Sequence, residues 1–270
     1  MSNRCQCLIP MLALAVLGLA ESTDAQGGRG RRGPPEAVRI RGGAYFVDAM
    51  LPDASDDLTG AGRLAATEHV RKAAEQKHLS LLYLFDPEAD EKKHERFETT
   101  LFNHPRVNVA FKLFKCARVN LTLDEAEESE YGKKAPIFVV FDAKGKCVGE
   151  VPMRGYKAAS TPLFKLLTRA ARGHSKLTLP VFVKKYRSFL NDLTRLEASK
   201  TALKSKRARV DDESPGSRSK LVKLEKEEAQ LQATEDKLLE SETKLLTSAK
   251  IPPRDEKARR VGERRWGRGS

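Results

Sequence analysis

The chain has 270 residues, enough for one well-packed domain plus accessory segments. It carries a formal charge of +13, with 32% charged residues and only 6% aromatic ones, so much of it should lie outside a dense core. Apart from one apolar run near the N-terminus the sequence shows no run long and apolar enough for a membrane-spanning helix.

Residues 1–25 read as a secretory signal. Arg4 supplies a short basic region, and the apolar run over residues 8–20 is too short to span a bilayer, which needs roughly 20 residues. Small residues at 18–20 and 23–25 offer two cleavage positions. The alternative is an uncleaved N-terminal anchor. The expected address is therefore export, to periplasm, envelope or medium. Cys5 and Cys7 precede the apolar run, so neither stands where a lipoprotein cysteine would.

Residues 26–59 read as a disordered linker. The Gly/Arg/Pro-rich part over 26–43 has five arginines against one glutamate and little to bury. Its functional alternative is an arginine–glycine arm for nucleic acid. A short apolar patch follows at Ala44, Tyr45, Phe46 and Val47, then acidic turn material.

The periodicity over 62–77, with Leu64, Val70 and Ala74 on one side, predicts an amphipathic helix. The nearly continuous apolar run 79–85 predicts a central buried strand, broken by Asp86-Pro87. A helix is expected over 88–102 with Phe97, Leu101 and Phe102 inward, interrupted by Asn103-His104-Pro105 and resuming at 107–111. Residues 115–121 alternate and predict another strand; 125–131 predict a short acidic helix. Residues 137–141 and 147–151, joined by Asp142-Ala143-Lys144-Gly145, predict a hairpin with glycine where the turn needs positive φ. Thr161 as N-cap and Pro162 at the first position predict a last helix, with Leu163, Leu166, Leu167 and Ala170 on its inner face.

Alternating strands and helices over 60–173 imply an α/β domain with parallel pairing and helices on both faces of the sheet. The strand ending at Phe85, the Ala135-Pro136 strand start and the turn at 142–145 resemble the thioredoxin-like fold family, in particular its exported members. The resemblance covers about two-fifths of the chain. It implies a cis bond before Pro136, and a peptide-binding face around Pro87, Ala135 and Pro136. The strand order it implies places Cys116 and Cys147 on strands separated by two others, roughly 14 Å, too far for a disulfide. Two free, mostly buried thiols are expected.

In that family a Cys-x-x-Cys opens the helix after the central strand, where the helix dipole lowers a thiol's pKa. Alignment puts Ala89 and Lys92 at these positions, and residues 86–115 contain no cysteine. The acidic residues there would oppose a thiolate. Glu91, His94, Glu95 and Glu98 have a spacing metals can use, but a solvated helix face looks the same. The sequence offers no phosphate-binding glycine motif and no nucleophile elbow, so no cofactor, metal or small-molecule substrate is assigned. The sequon Asn120-Leu121-Thr122 falls on an expected strand and is discounted.

After residue 174 the composition changes. Over 176–250 two heptad patterns flank a polar turn at 211–217. One antiparallel register brings Leu193 opposite Leu238 and Tyr186 opposite Leu245, with Lys200 and Arg207 within reach of Glu228 and Glu235. This predicts a coiled-coil-like helical hairpin that projects or folds back; two independent helices are the alternative. Residues 251–270, with seven basic and three acidic residues around Trp266, read as a basic disordered tail.

Three functions follow as expectations. The first is an exported, redox-inactive thioredoxin-like protein that binds a protein partner through the hairpin or the cis-proline face. The second is a thiol-disulfide oxidoreductase using Cys116 or Cys147 in a non-standard way. The third is a nucleic-acid or anionic-surface binder acting through the basic arms.

Overall fold

A computed structural model describes residues 34–52, 60–86, 91–123, 130–210 and 216–261. The signal segment, the arm up to residue 33, Pro87, Ala89, the acidic run at 124–128, most of the expected turn at 211–217 and the region of Trp266 lie outside the described residues.

The sheet has six strands. They are β1 (Ala44–Asp48), β2 (Leu79–Phe85), β3 (Phe114–Asn120), β4 (Ile137–Phe141), β5 (Cys147–Pro152) and β6 (Arg259–Val261), in the spatial order β5-β4-β2-β3-β1-β6. Strands β1, β2 and β3 run parallel, whereas β4, β5 and β6 are antiparallel to their neighbours. Eight helices accompany them among the described residues. They are α1 (Glu36–Gly42), α2 (Ala61–Ala65), α3 (Glu68–Glu75), α4 (Glu91–Phe102), α5 (Pro105–Phe111), α6 (Ser160–Ala170), α7 (Leu179–Arg207) and α8 (Ser217–Ser248).

Strand alternation sorts the core into two layers. Leu82, Leu84, Ile137, Val139 and Phe141 face the side where Leu64 and Val70 of α2 and α3 pack. Leu81, Tyr83, Phe138 and Val140 face the side of Phe97, Phe102, Val107, Leu163 and Leu167. Both layers need apolar side chains from the central strands, and so those strands read as unbroken apolar runs.

The structure corrects several expectations. Residues 36–48, assigned to a linker, form α1 and β1. Phe46 is buried, with its ring set edgewise against Tyr83, Phe102 and Phe111. Residues 259–261, assigned to a disordered tail, form β6 along the outer edge of β1. Lys115 Nζ donates to the Pro253 carbonyl at 2.8 Å, and Arg254 lies over the Tyr45 ring at 4.2 Å, tying the preceding segment down. Strand addition uses backbone groups, so a basic composition did not prevent it.

The helix expected over 62–77 is two helices. Buried Thr67 divides them: its hydroxyl donates to Leu64 O at 2.8 Å and accepts from Val70 N at 3.4 Å, capping α3. Thr161 is not an N-cap; α6 begins two residues earlier than expected, at Ser160, and Ala159 holds the N-cap place without a side-chain cap.

Residues 176–250, expected either to project or to fold back, share a core with the 60–173 segment. The described residues from 34 to 261 form one compact unit. Phe182, Val183, Tyr186, Phe189, Leu193 and Leu196 of α7 belong to the same buried cluster as the sheet residues Leu81 and Phe138. Lys200–Glu235, Lys206–Glu227 and Arg207–Glu228 ion pairs, at 2.7, 2.9 and 3.0 Å, link α7 to α8. Among the described residues no helix is long and apolar enough to cross a membrane.

Candidate functional site

In an open α/β sheet, ligands meet the protein outside the carboxyl ends of the parallel strands. Here that edge is formed by Asp48, Phe85 and Asn120, with the start of antiparallel β4 beside them. The Ala135–Pro136 peptide bond is cis. Pro136 is buried, and its carbonyl accepts from Met153 N at 2.7 Å; Ala135 is half-buried.

Helix α4 brings its first turns over this edge. Positions 94 and 98 are one turn apart and share a face. The Tyr83 hydroxyl meets His94 Nε2 at 2.7 Å, and Glu98 Oε1 lies 3.3 Å from the same nitrogen. Phe85 stacks on Tyr83 with centroids 5.4 Å apart, and its ring also touches that of His94 at 5.4 Å. Tyr156, on the turn after β5, closes on His94 at 5.9 Å and on Phe97 at 6.1 Å. On the other side Arg118 lies over Phe85 at 5.5 Å and donates to Asp48 Oδ1 at 2.7 and 3.2 Å. The result is a half-buried aromatic patch with a Tyr83–His94–Glu98 cluster beneath it.

Burial, and then the neighbouring Glu98 carboxylate, push the Tyr83 phenol well above its ordinary pKa, so it stays protonated. His94 Nε2 thus lies between the Tyr83 hydroxyl and Glu98 Oε1, and that buried oxygen makes no hydrogen bond of its own. Lys92, aligned with a redox cysteine position, is exposed on the first turn of α4.

The two described cysteines are free. Cys116 is buried on β3, where burial pushes its thiol up and the carbonyls of Phe111 and Phe114 accept from it at 3.5 Å. Cys147 is half-buried on β5, with β4 and β2 between the two, and burial raises its thiol as well. Neither stands at a helix N-terminus, where a thiolate would gain from the dipole. Among the described residues no group of three or more His, Cys, Asp or Glu could hold a metal ion. Glu91 and Glu95 point to solvent, away from the pair that His94 and Glu98 form with Tyr83.

Of the helical residues singled out in the sequence, Tyr186 and Leu193 are buried. Leu238 and Leu245 are partly buried and pack against the same cluster. The Tyr186 hydroxyl donates to Glu242 Oε1 at 2.7 Å, and Arg41 Nε meets the other carboxylate oxygen at 3.1 Å. Sequence reasoning noted the spacing of His94 and Glu98 but missed Tyr83 and Tyr156. The available signal was a single polar-tipped aromatic in a strand whose other residues, Ser80 apart, are apolar.

No family model matches this chain, and no curated protein matches it.

Proposed function

We propose that the chain is an exported, redox-inactive thioredoxin-like protein that acts as a binding or structural module. In this reading α7 and α8 form an antiparallel helical hairpin, and protein partners meet either the hairpin's outer face or the patch beside Pro136. The single observation that carries it is the position of the thiols: Cys116 and Cys147 lie on strands with two others between them, and burial holds both protonated. The strand order β5-β4-β2-β3-β1, with only β1 to β3 parallel, supports the family reading. Partners on α8 occur in reverse order to those on α7, which supports the hairpin. One turn past Lys92, which aligns with a redox position, the packed Tyr83–His94–Glu98 cluster supports a surface suited to holding a peptide.

The test is disulfide turnover. The chain carrying Cys5→Ser and Cys7→Ser is compared with the same chain also carrying Cys116→Ser and Cys147→Ser. Equal, background rates are expected. Turnover that disappears with the two strand cysteines would replace this reading with the oxidoreductase. Deleting 176–250 is not a clean way to look for the partner, since α7 supplies core residues. Surface substitutions on α8 are.

A further inference from the structure

We propose that the groove between α5, α6 and α7 binds a segment of acidic polysaccharide. The inference stands on this groove alone and does not depend on the redox or hairpin readings. The groove has a volume of about 540 Å³ and is lined by Arg106, Phe164, Lys184, Arg187, Ser188 and Asn191, among others. That is within the range of roughly 300–1,000 Å³ typical of ligand sites. Lys184 and Arg187 are three apart on one helix and so share a face. Arg106 approaches from α5.

No carboxylate lines the groove. Among the described residues, none of the three cations is in an ion pair, although Lys200, Lys206 and Arg207 further along α7 all are. Three unneutralised cations around one depression concentrate positive potential there. His104, next to Arg106, registers that potential: its pKa is lowered first by burial and then by the charges of Arg106 and Arg187.

The remaining walls choose among anions. Binding of single-stranded nucleic acid without sequence preference relies on several stacking rings. This groove offers one, half-buried Phe164. One ring with exposed Pro180, over the buried Val183, makes an apolar wall suited to the C–H face of a sugar. Ser188 and Asn191 can pair with its hydroxyls. The two guanidinium forks and the ammonium match sulfates or uronates set along the chain.

The experiment is calorimetric titration of the full chain at about 0.1 M salt, where surface charges act within about 10 Å. The probes are a sulfated heparin-derived hexasaccharide, a hexauronate and a single-stranded oligonucleotide of matched charge. Arg187→Gln and Arg106→Gln alter exposed side chains and should leave the melting temperature unchanged. Lys144→Gln, on the exposed turn between β4 and β5, is the control for net charge. At least one hexasaccharide should bind, and each groove substitution should weaken it about tenfold, the loss of one charge-assisted hydrogen bond. The control should change it less than twofold. Three results would overturn the proposal: neither hexasaccharide binding, equal weakening by Lys144→Gln, or tighter binding of the oligonucleotide with the same dependence on Arg187.

Discussion

Tyr186→Phe tests how the second long helix is held to the rest of the molecule. Tyr186 is 1% exposed, and its hydroxyl donates to Glu242 Oε1 at 2.7 Å, with the Arg41 carbonyl 3.3 Å away. The Glu242 side chain is only 12% exposed and keeps Arg41 at 3.1 Å on its other oxygen. The ring remains in the variant, so Lys112, 5.0 Å from its centroid, keeps its cation–π contact. What is lost is one hydrogen bond to a charged acceptor, worth about 1.5–3 kcal/mol. Burial, then the Glu242 charge, raise the Tyr186 pKa, so the phenol is the donor throughout the neutral range. Glu242→Gln keeps the shape of the acceptor but removes its charge. Urea unfolding at pH 7, followed by far-UV circular dichroism, should show one transition for each variant, because α7 shares its core with the sheet. The cycle of Tyr186→Phe, Glu242→Gln and the double variant should give a coupling of about 1–2 kcal/mol. Additivity within about 0.5 kcal/mol would mean that the hydroxyl and carboxylate do not act as a pair, and the argument for a tied-down α8 would fail.

Three further outcomes are expected. In a Cys5→Ser, Cys7→Ser background, a thiol reagent should label half-buried Cys147 slowly in the native state and buried Cys116 only after unfolding; fast native labelling of Cys116 would contradict its placement. Burial is the largest cause lowering the pKa values of His69, His78, His104 and His174. The unfolded chain therefore takes up these protons first as pH falls below about 6.5, so their stabilisation is present above that pH and declines below it. The urea midpoint should fall from pH 7.5 to 5.5, and His69→Gln should flatten that slope; an unchanged slope would remove His69 from the account. Gly145 has φ +76°, and an added Cβ would lie 3.3 Å from Ala74 Cβ. Gly145→Ala should thus cost about 1–2 kcal/mol in the same unfolding assay, and a neutral result would show that the turn can re-form with negative φ.

The elements legible in the sequence are those whose side chains alone decide their place. Residues 79–85 and 137–141 are apolar at every or nearly every position because both of their faces are covered. No amphipathic helix or surface strand satisfies such a run. The turn at 142–145 is equally local: Asp142 Oδ1 accepts from the backbone N–H of Lys144 and Lys146, and Gly145 takes the positive φ. The cis bond before Pro136 was expected only through a family resemblance, since neighbouring residues do not by themselves specify it.

Other features depended on what lies far away in the chain. Residues 44–48 look like a fragment of linker until Phe46 finds Tyr83, Phe102 and Phe111, and residues 259–261 look like a charged tail until their backbone completes the edge of β1. Edge pairing draws on N–H and C=O groups that every residue possesses, so composition is a poor guide to it. The candidate patch is of the same kind. His94 and Glu98 advertise only a helix face, and Tyr83 only a strand; their meeting is set by how α4 crosses the end of β2. The amino-acid sequence by itself determined which segments must be buried. Tertiary packing decided which polar groups are buried with them, because burying a polar side chain is costly unless the fold brings it a partner, as α4 brings His94 to Tyr83.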